Sequence, residues 1–256
     1  MDISHVSICT NTKDTAKTCA NVLYRSLIEA KSSRMISLHV CCWSNEAREI
    51  LIEEVNKVKA NYQGEYHPEI VLSNIPQEIR NRYYFNASAA INISVATAKD
   101  NILLCPGTDH ILPKNIVELC NKYISDGRGW IPFAYCLHKG KLPVISGDNN
   151  RQNSGANGWW RMAGFAPFGI TKHDWDMIGG CNEEFSEYGG SDNDLFVRMV
   201  DHDIKIFRNK CLGLFHTWHE QDKEWRKTKN KGWGKAISMT KQRRQLIETD
   251  LSDPSQ

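Results

Sequence analysis

Short apolar runs alternate with stretches of helical spacing through the first half of the chain. Val6-Ser7-Ile8-Cys9-Thr10 reads as a buried strand and Asn11-Thr12-Lys13-Asp14 as a polar loop. Thr15 to Ala30 follows with helical spacing, placing Cys19, Leu23 and Leu27 on one face. Met35 to Cys42 is a second apolar, partly β-branched run. Ala47 to Ala60 is a helix with Ile50, Leu51, Val55 and Val58 inward. Glu69-Ile70-Val71-Leu72 reads as a third strand, Pro76 to Thr97 as mostly helix, and Asn101 to Cys105 as a fourth strand. Pro113 suits a helix start, and Ile116 to Ile124 continues that helix.

This alternation predicts an α/β fold with a mostly parallel central sheet flanked by helices. Ligands of such sheets bind at the carboxyl ends of the strands. The loops at Thr10–Asp14, Trp43–Glu46 and Pro106–His110 then share one rim. From Asp126 to Gly169 the pattern breaks into glycine, asparagine and aromatics, as expected of irregular strands and loops covering the sheet. Glu187 to Val200 reads as a loop entering a helix, and Ile204–Phe207 and Cys211–Phe215 as closing strands. Residues 222–256 read as a basic, helical C-terminal tail frayed beyond Leu251. Its plainest use is a solvated face; its alternative is peripheral contact with a membrane surface or an anionic partner.

The 256 residues carry a formal charge of +2, which gives no global argument for nucleic acid. No run approaches the roughly 18–20 apolar residues of a membrane span, and Met1-Asp2-Ile3-Ser4-His5 does not begin a signal peptide. Nine scattered cysteines without a C-x-x-C pair read as buried free thiols, and so point to a reducing, cytoplasmic setting. In that setting the sequons at Asn86-Ala87-Ser88 and Asn92-Ile93-Ser94 carry no weight.

Chemistry concentrates late in the chain. Tyr188-Gly189-Gly190-Ser191-Asp192-Asn193-Asp194 joins two glycines, which allow a sharp turn, to a carboxylate cluster entering a helix. Phe215-His216-Thr217-Trp218-His219-Glu220 follows with a histidine pair. A carboxylate base and a downstream imidazole ligand are what a metal-assisted group transfer requires. Plainer uses compete: Asp109 as a turn residue before Pro113, Asp192 and Asp194 as first-turn acids, the histidines as satisfied core groups, and Trp159, Trp160 and Tyr188 as core aromatics.

In order, these segments make the chain resemble the nucleotide-sugar glycosyltransferases of the GT-A, Rossmann-like fold, the family 2 type with a galactosyltransferase-like C-terminal half. Val6–Thr10 is similar to the first strand and nucleotide loop. Ala90 to Ala98 is similar to the A-R-N-x-G-x-x-x-A helix, with Ile91 and Ser94 at its Arg and Gly. Ile102 to Pro113 resembles the strand and D-x-D motif, with Gly107 at the first aspartate. Tyr188 to Asp194 resembles W-G-G-E-D-x-D, with Ser191 at the Glu. The loop Cys41-Cys42-Trp43-Ser44 lacks the acidic residue of the uracil side.

The resemblance implies a glycosyltransferase domain over 1–221, with a nucleotide-binding half (1–125) and an acceptor-binding half (126–221). It implies Asp109 and His216 as ligands of Mn²⁺ or Mg²⁺, and Asp192 as the base of an inverting transfer from a UDP-sugar to a glycan or lipid-linked acceptor. Thr10, Asn92, Thr108 and Gly190 fall to the donor, and Tyr188, Trp160 and Asp194 to the acceptor. The alternative is a degenerate domain that binds nucleotide or sugar without turnover. A zinc hydrolase built on His216, His219 and Glu220 lacks the i, i+4 spacing that sets two imidazoles on one helical face.

Overall fold

The computed structural model describes residues 4–12, 19–62, 66–141, 144–146, 150–152, 158–161, 166–220, 223–230, 232–243 and 246–250. Lys13 and Asp14 of the expected nucleotide loop lie outside them.

The first half follows the expected alternation. Strands β1 (Val6–Thr12), β2 (Ile36–Cys42), β3 (Glu69–Asn74) and β4 (Ile102–Cys105) are all parallel, in the order β4-β1-β2-β3. A π-helical stretch (Cys19–Tyr24) runs into a short α-helical turn (Arg25–Ile28), together α1. Helix α2 (Asn45–Asn61) begins where Ser44 accepts a hydrogen bond from the Ala47 amide, an N-cap, and buries Leu51, Val55 and Val58. The region read as one long helix is two, α3 (Gln77–Arg82) and α4 (Ala87–Ala96), because Asn86 caps the second through the Ala89 amide.

After β5 (His110–Ile111) and α5 (Ile116–Tyr123), the middle of the chain adds strands rather than loops alone. These are β6 (Arg128–Trp130), β7 (Phe133–Leu137), β8 (Val144–Ser146), β9 (Asn150–Gln152), β10 (Gly158–Trp160) and β11 (Phe168–Thr171). Helices α6 (Lys172–Ile178) and α7 (Ser191–Asp201) follow. The two expected closing strands are a single one, β12 (Lys205–His216), irregular between Lys210 and Phe215. β12 is the crossbeam: it pairs in parallel with β6 and β7, and antiparallel with β5. The full path is β10-β7-β12-β6-β11-β4-β1-β2-β3.

The C-terminal segment is partly helical, as expected, in α8 (Lys223–Lys227) and α9 (Trp233–Arg243). It also supplies β13 (Ile247–Asp250), which joins the sheet beside β12. Arg243 forms a two-pronged pair with Asp201 of α7 at 2.7 and 2.9 Å, and Asn193 donates to Thr240. Two of its basic residues are thus used internally, Arg243 on Asp201 and Arg226 over the Tyr188 ring.

Strand alternation divides the core. Val6, Ile8, Ile102, Leu104 and Phe207 face one apolar layer with α1, α2 and α5; Cys9, Leu103, Cys105 and Ile206 face the other with α6 and α7. The described cysteines are free thiols, nearly all buried, as their apolar neighbours suggested. Among the described residues no helix is long and apolar enough to cross a membrane. Phe196 of α7 is fully buried in the second layer. Phe196→Ala is expected to cost about 3–5 kcal/mol of stability, read as a lower urea midpoint with unchanged slope.

Candidate active site and metal centre

A carboxylate in a protein interior is costly unless hydrogen-bonded or paired. Asp109 sits in the loop between β4 and β5 with imidazoles on both of its oxygens. Its Oδ2 lies 3.0 Å from His216 Nε2 and 3.0 Å from His219 Nε2, and its Oδ1 2.9 Å from His110 Nδ1. Burial pushes the carboxyl upward, but the close imidazoles of His110, His216 and His219 outweigh it and hold Asp109 well below the usual range. Burial also works against a charged His216, yet its bonds to Asp109 and Cys136 raise it to about 9. The Asp109 bond raises His219 as well, against partial burial.

The backbone explains how segments so distant in sequence meet. β5 and β7 pair with the end of β12, placing His216 opposite both His110 and Cys136. Thr217 then donates twice to the Asp109 carbonyl, through its amide at 2.8 Å and its hydroxyl at 2.9 Å. His219 donates from Nδ1 to the Glu220 carbonyl at 2.9 Å, since a carbonyl can only accept; Nε2 is thereby aimed at Asp109. Glu220 thus contributes its backbone, and its side chain is not part of the cluster.

Asp109, His216 and His219 offer ligand atoms all within 4.8 Å of one another. Neighbouring ligands on a six-coordinate ion with bonds of about 2.1 Å stand roughly 3 Å apart. The 3.0 Å separations from Asp109 Oδ2 to each imidazole match that spacing. One carboxylate and two imidazoles form a donor set for a divalent first-row cation. The structure therefore brings together the two expected ligands, Asp109 and His216, and sets His219, the second member of the histidine pair, beside them.

Gly107, at the first acid of the D-x-D pattern, lies directly beside the Asp109 and His110 side chains. A Cβ there would lie 2.4 Å from Asp109 Oδ1 and 2.9 Å from His110 Nδ1. A side chain there would have to push the Asp109 carboxylate and the His110 ring aside.

Several other expected ligand-binders are occupied with holding loops. Thr10 donates to the Pro106 carbonyl at 3.0 Å, tying β1 to the Asp109 loop, and Thr108 is buried in that loop. Asn92 donates to the Cys181 carbonyl and Glu183 carboxylate and accepts from the Cys181 amide. Asn86 donates to the Glu183 carbonyl, so both sequon asparagines clamp one loop. A cavity of about 430 Å³ between Asn92, Gly179, Glu183 and Arg198 borders this loop, away from the Asp109 cluster. Asp194 is paired with Arg198 at 2.8 Å, and Arg198 also donates to the Ile178 and Gly180 carbonyls. Trp160 packs edge-on against Tyr135 in an apolar cluster with Phe215.

The Gly-Gly turn is where expected. Gly189 and Gly190 take φ of 89° and 90°, in the left-handed region, and Gly190 opens α7. Asp192 is in the helix's first turn and its Oδ1 accepts from the Asn193 amide at 3.0 Å. The turn is held by a residue sequence reasoning passed over. Asn230, buried beyond α8, accepts from the Glu187 amide and donates to the Glu187 and Gly189 carbonyls. Tyr188 is held there too, its carbonyl accepting from the Asn230 amide.

Two outcomes test the centre. A cation must displace protons from His216 and His219, both raised above the ordinary imidazole value. Mn²⁺ affinity should therefore rise with pH from about 6.5 to the His216 value of about 9. Calorimetry in buffers of different ionisation enthalpy should register proton release at neutral pH. Gly107→Ala should displace the Asp109 carboxylate and weaken Mn²⁺ binding about tenfold, roughly 1.4 kcal/mol, with little change in melting temperature.

Comparison with known proteins agrees with this geometry. Residues 9–232 match the family described as chondroitin N-acetylgalactosaminyltransferase. The N-acetyl-beta-glucosaminyl-glycoprotein 4-beta-N-acetylgalactosaminyltransferase 1 of Mus musculus is 29% identical over 154 residues, covering 58% of this chain and 14% of the relative. Chondroitin sulfate N-acetylgalactosaminyltransferase 2 of Homo sapiens is 35% identical over 65 residues, 25% of this chain and 12% of the relative. The chain thus spans only about an eighth of the length of these curated relatives. Among solved structures, S. aureus TarS 1–349 in complex with UDP-GlcNAc superimposes with a TM-score of 0.61 at 10% identity, over 85% of this chain and 60% of that one. The mannosyltransferase PcManGT of Pyrobaculum calidifontis, in complex with GDP-Man and Mn²⁺, gives 0.55 at 8% identity, over 88% and 59%. A GT-A fold is common to these structures and this chain. The chain, matched from residue 9 to residue 232, belongs to the chondroitin N-acetylgalactosaminyltransferase family.

Proposed function

We propose that this chain transfers N-acetylgalactosamine from its UDP derivative to a saccharide hydroxyl, inverting the anomeric carbon and requiring Mn²⁺ or Mg²⁺. The observation that carries this reading is the Asp109–His216–His219 cluster on the carboxyl side of a GT-A sheet. Support comes from the transferase names of the relatives and from the UDP-GlcNAc, GDP-Man and Mn²⁺ bound to the structural neighbours.

When bound, the cation would neutralise negative charge developing on the diphosphate leaving group. Asp109, His216 and His219 are the residues that would hold it. The sugar's bond to the diphosphate oxygen breaks as the acceptor oxygen bonds to the opposite face of the anomeric carbon, and the acceptor proton passes to a carboxylate. Asp192 fills that role. It stands in the first turn of α7, directly after the Gly-Gly turn. Asp194, the other first-turn acid, is engaged by Arg198. The alternative, binding without turnover, draws on the absent first acid of D-x-D at Gly107; the retained Asp109–His216–His219 cluster favours turnover.

Calorimetric titration with UDP, using GDP and CMP as controls, should give binding that is selective for UDP and strengthened by Mn²⁺. Asp192→Asn should leave that affinity within about twofold of the parent and lower transfer by roughly 10²–10⁴. Transfer at the parental rate in Asp192→Asn would remove Asp192 as the base.

A further inference from the structure

The sheet register separates the two adjacent tryptophans of β10. Trp159 stands opposite Cys136, Cys136 opposite His216, and His216 opposite His110. Residues directly opposite one another send side chains to the same face of a sheet. Trp159 therefore shares the face of the Asp109–His216–His219 cluster, two strands or roughly 10 Å from His216. Trp160 belongs to the next row, Trp160–Tyr135–Phe215–Ile111, which turns to the opposite face and forms an apolar cluster.

Trp159 is 48% exposed. Its ring lies 5.0 Å from that of His138, tilted by 42°, so an imidazole supports one side of it. β10 ends the sheet path, on the flank of the cluster away from β1–β4. Beyond the ends of β7 and β12, Lys139 lies 4.7 Å over the ring of Trp218, which is also exposed. The metal cluster thus has the nucleotide-binding half on one side and an aromatic edge on the other.

We infer that Trp159 is the stacking platform for a pyranose ring of the saccharide acceptor. An indole presents an electron-rich apolar face, and the C–H face of a pyranose is apolar and slightly positive, while the sugar's hydroxyls point sideways into water. Its place beside the cluster, on the flank opposite β1–β4, is where an acceptor would approach a nucleotide sugar bound at the strand ends. This inference rests on the transferase reading, and it gives the acceptor contact to Trp159 where the sequence favoured Trp160.

The test uses UDP-N-acetylgalactosamine as donor, with p-nitrophenyl β-N-acetylglucosaminide and a chondroitin hexasaccharide as acceptor probes. Trp159→Ala should raise the KM of an acceptor that the parent glycosylates about tenfold. The UDP dissociation constant with Mn²⁺ and the acceptor-independent hydrolysis of the donor should stay at parental values. Trp159→Leu, which keeps apolar bulk without a ring, should behave like Trp159→Ala, and Trp159→Phe should recover most of the affinity. Trp160→Ala should lower the melting temperature while leaving the acceptor KM near the parental value. An acceptor KM unchanged in both Trp159→Ala and Trp159→Leu would overturn the inference. Failure of the parent to bind UDP in the separate titration would instead overturn the transferase reading.

Discussion

The site depends on compensating one partly buried carboxylate. Asp109 is stable inside the protein because imidazoles surround it, and two of these come from a segment more than a hundred positions away. That demand fixes the end of β12 between β5 and β7 and sets Thr217 against the Asp109 backbone. It also sets the Asp109 carboxylate and the His110 ring against position 107. The same groups that compensate Asp109 present the donor atoms that could hold a cation. Charge compensation and the proposed metal site draw on one arrangement.

A second set of polar residues maintains shape. Asn86 and Asn92 clamp the Cys181–Glu183 loop, Arg198 ties the end of α6 to Asp194, and Asn230 holds the Gly-Gly turn. Each saturates backbone groups that no helix or strand satisfies, which is why polar residues are retained in semi-buried loops. By residue type alone they look like ligand-binding groups. Partners distinguish them: shape-keeping residues use their hydrogen bonds on the chain itself, whereas the Asp109 cluster turns three ligand atoms toward one point.

Much of the fold was legible because strand and helix periods are local properties. β1 to β4 and α2 stand close to where apolar spacing put them, and Asp109 and His216 could be named from a strand end and an ordered set of motifs. What escaped notice depends on contacts the sequence does not display. His219 reaches Asp109 only through the path of the chain after β12. Trp159 and Trp160 are indistinguishable until the register with β7 assigns their faces. Asn230 looked like part of a charged tail because its partners lie some forty positions earlier.

The position of Asn230 has a consequence for the order in which the protein is made. Strands β1 to β4 need only the first 105 residues to pair with one another. The imidazoles at 216 and 219, the amide at 230 and the strand at 247–250 all arrive later. At roughly 5–20 residues per second on the ribosome, the wait between Asp109 and Asn230 is on the order of ten seconds. During that interval the nascent chain holds a sheet whose acidic loop has no counter-charges from its distant half. Closure of the face carrying Asp109 is therefore a late event in synthesis, and chaperones meeting the unfinished chain would find it half built.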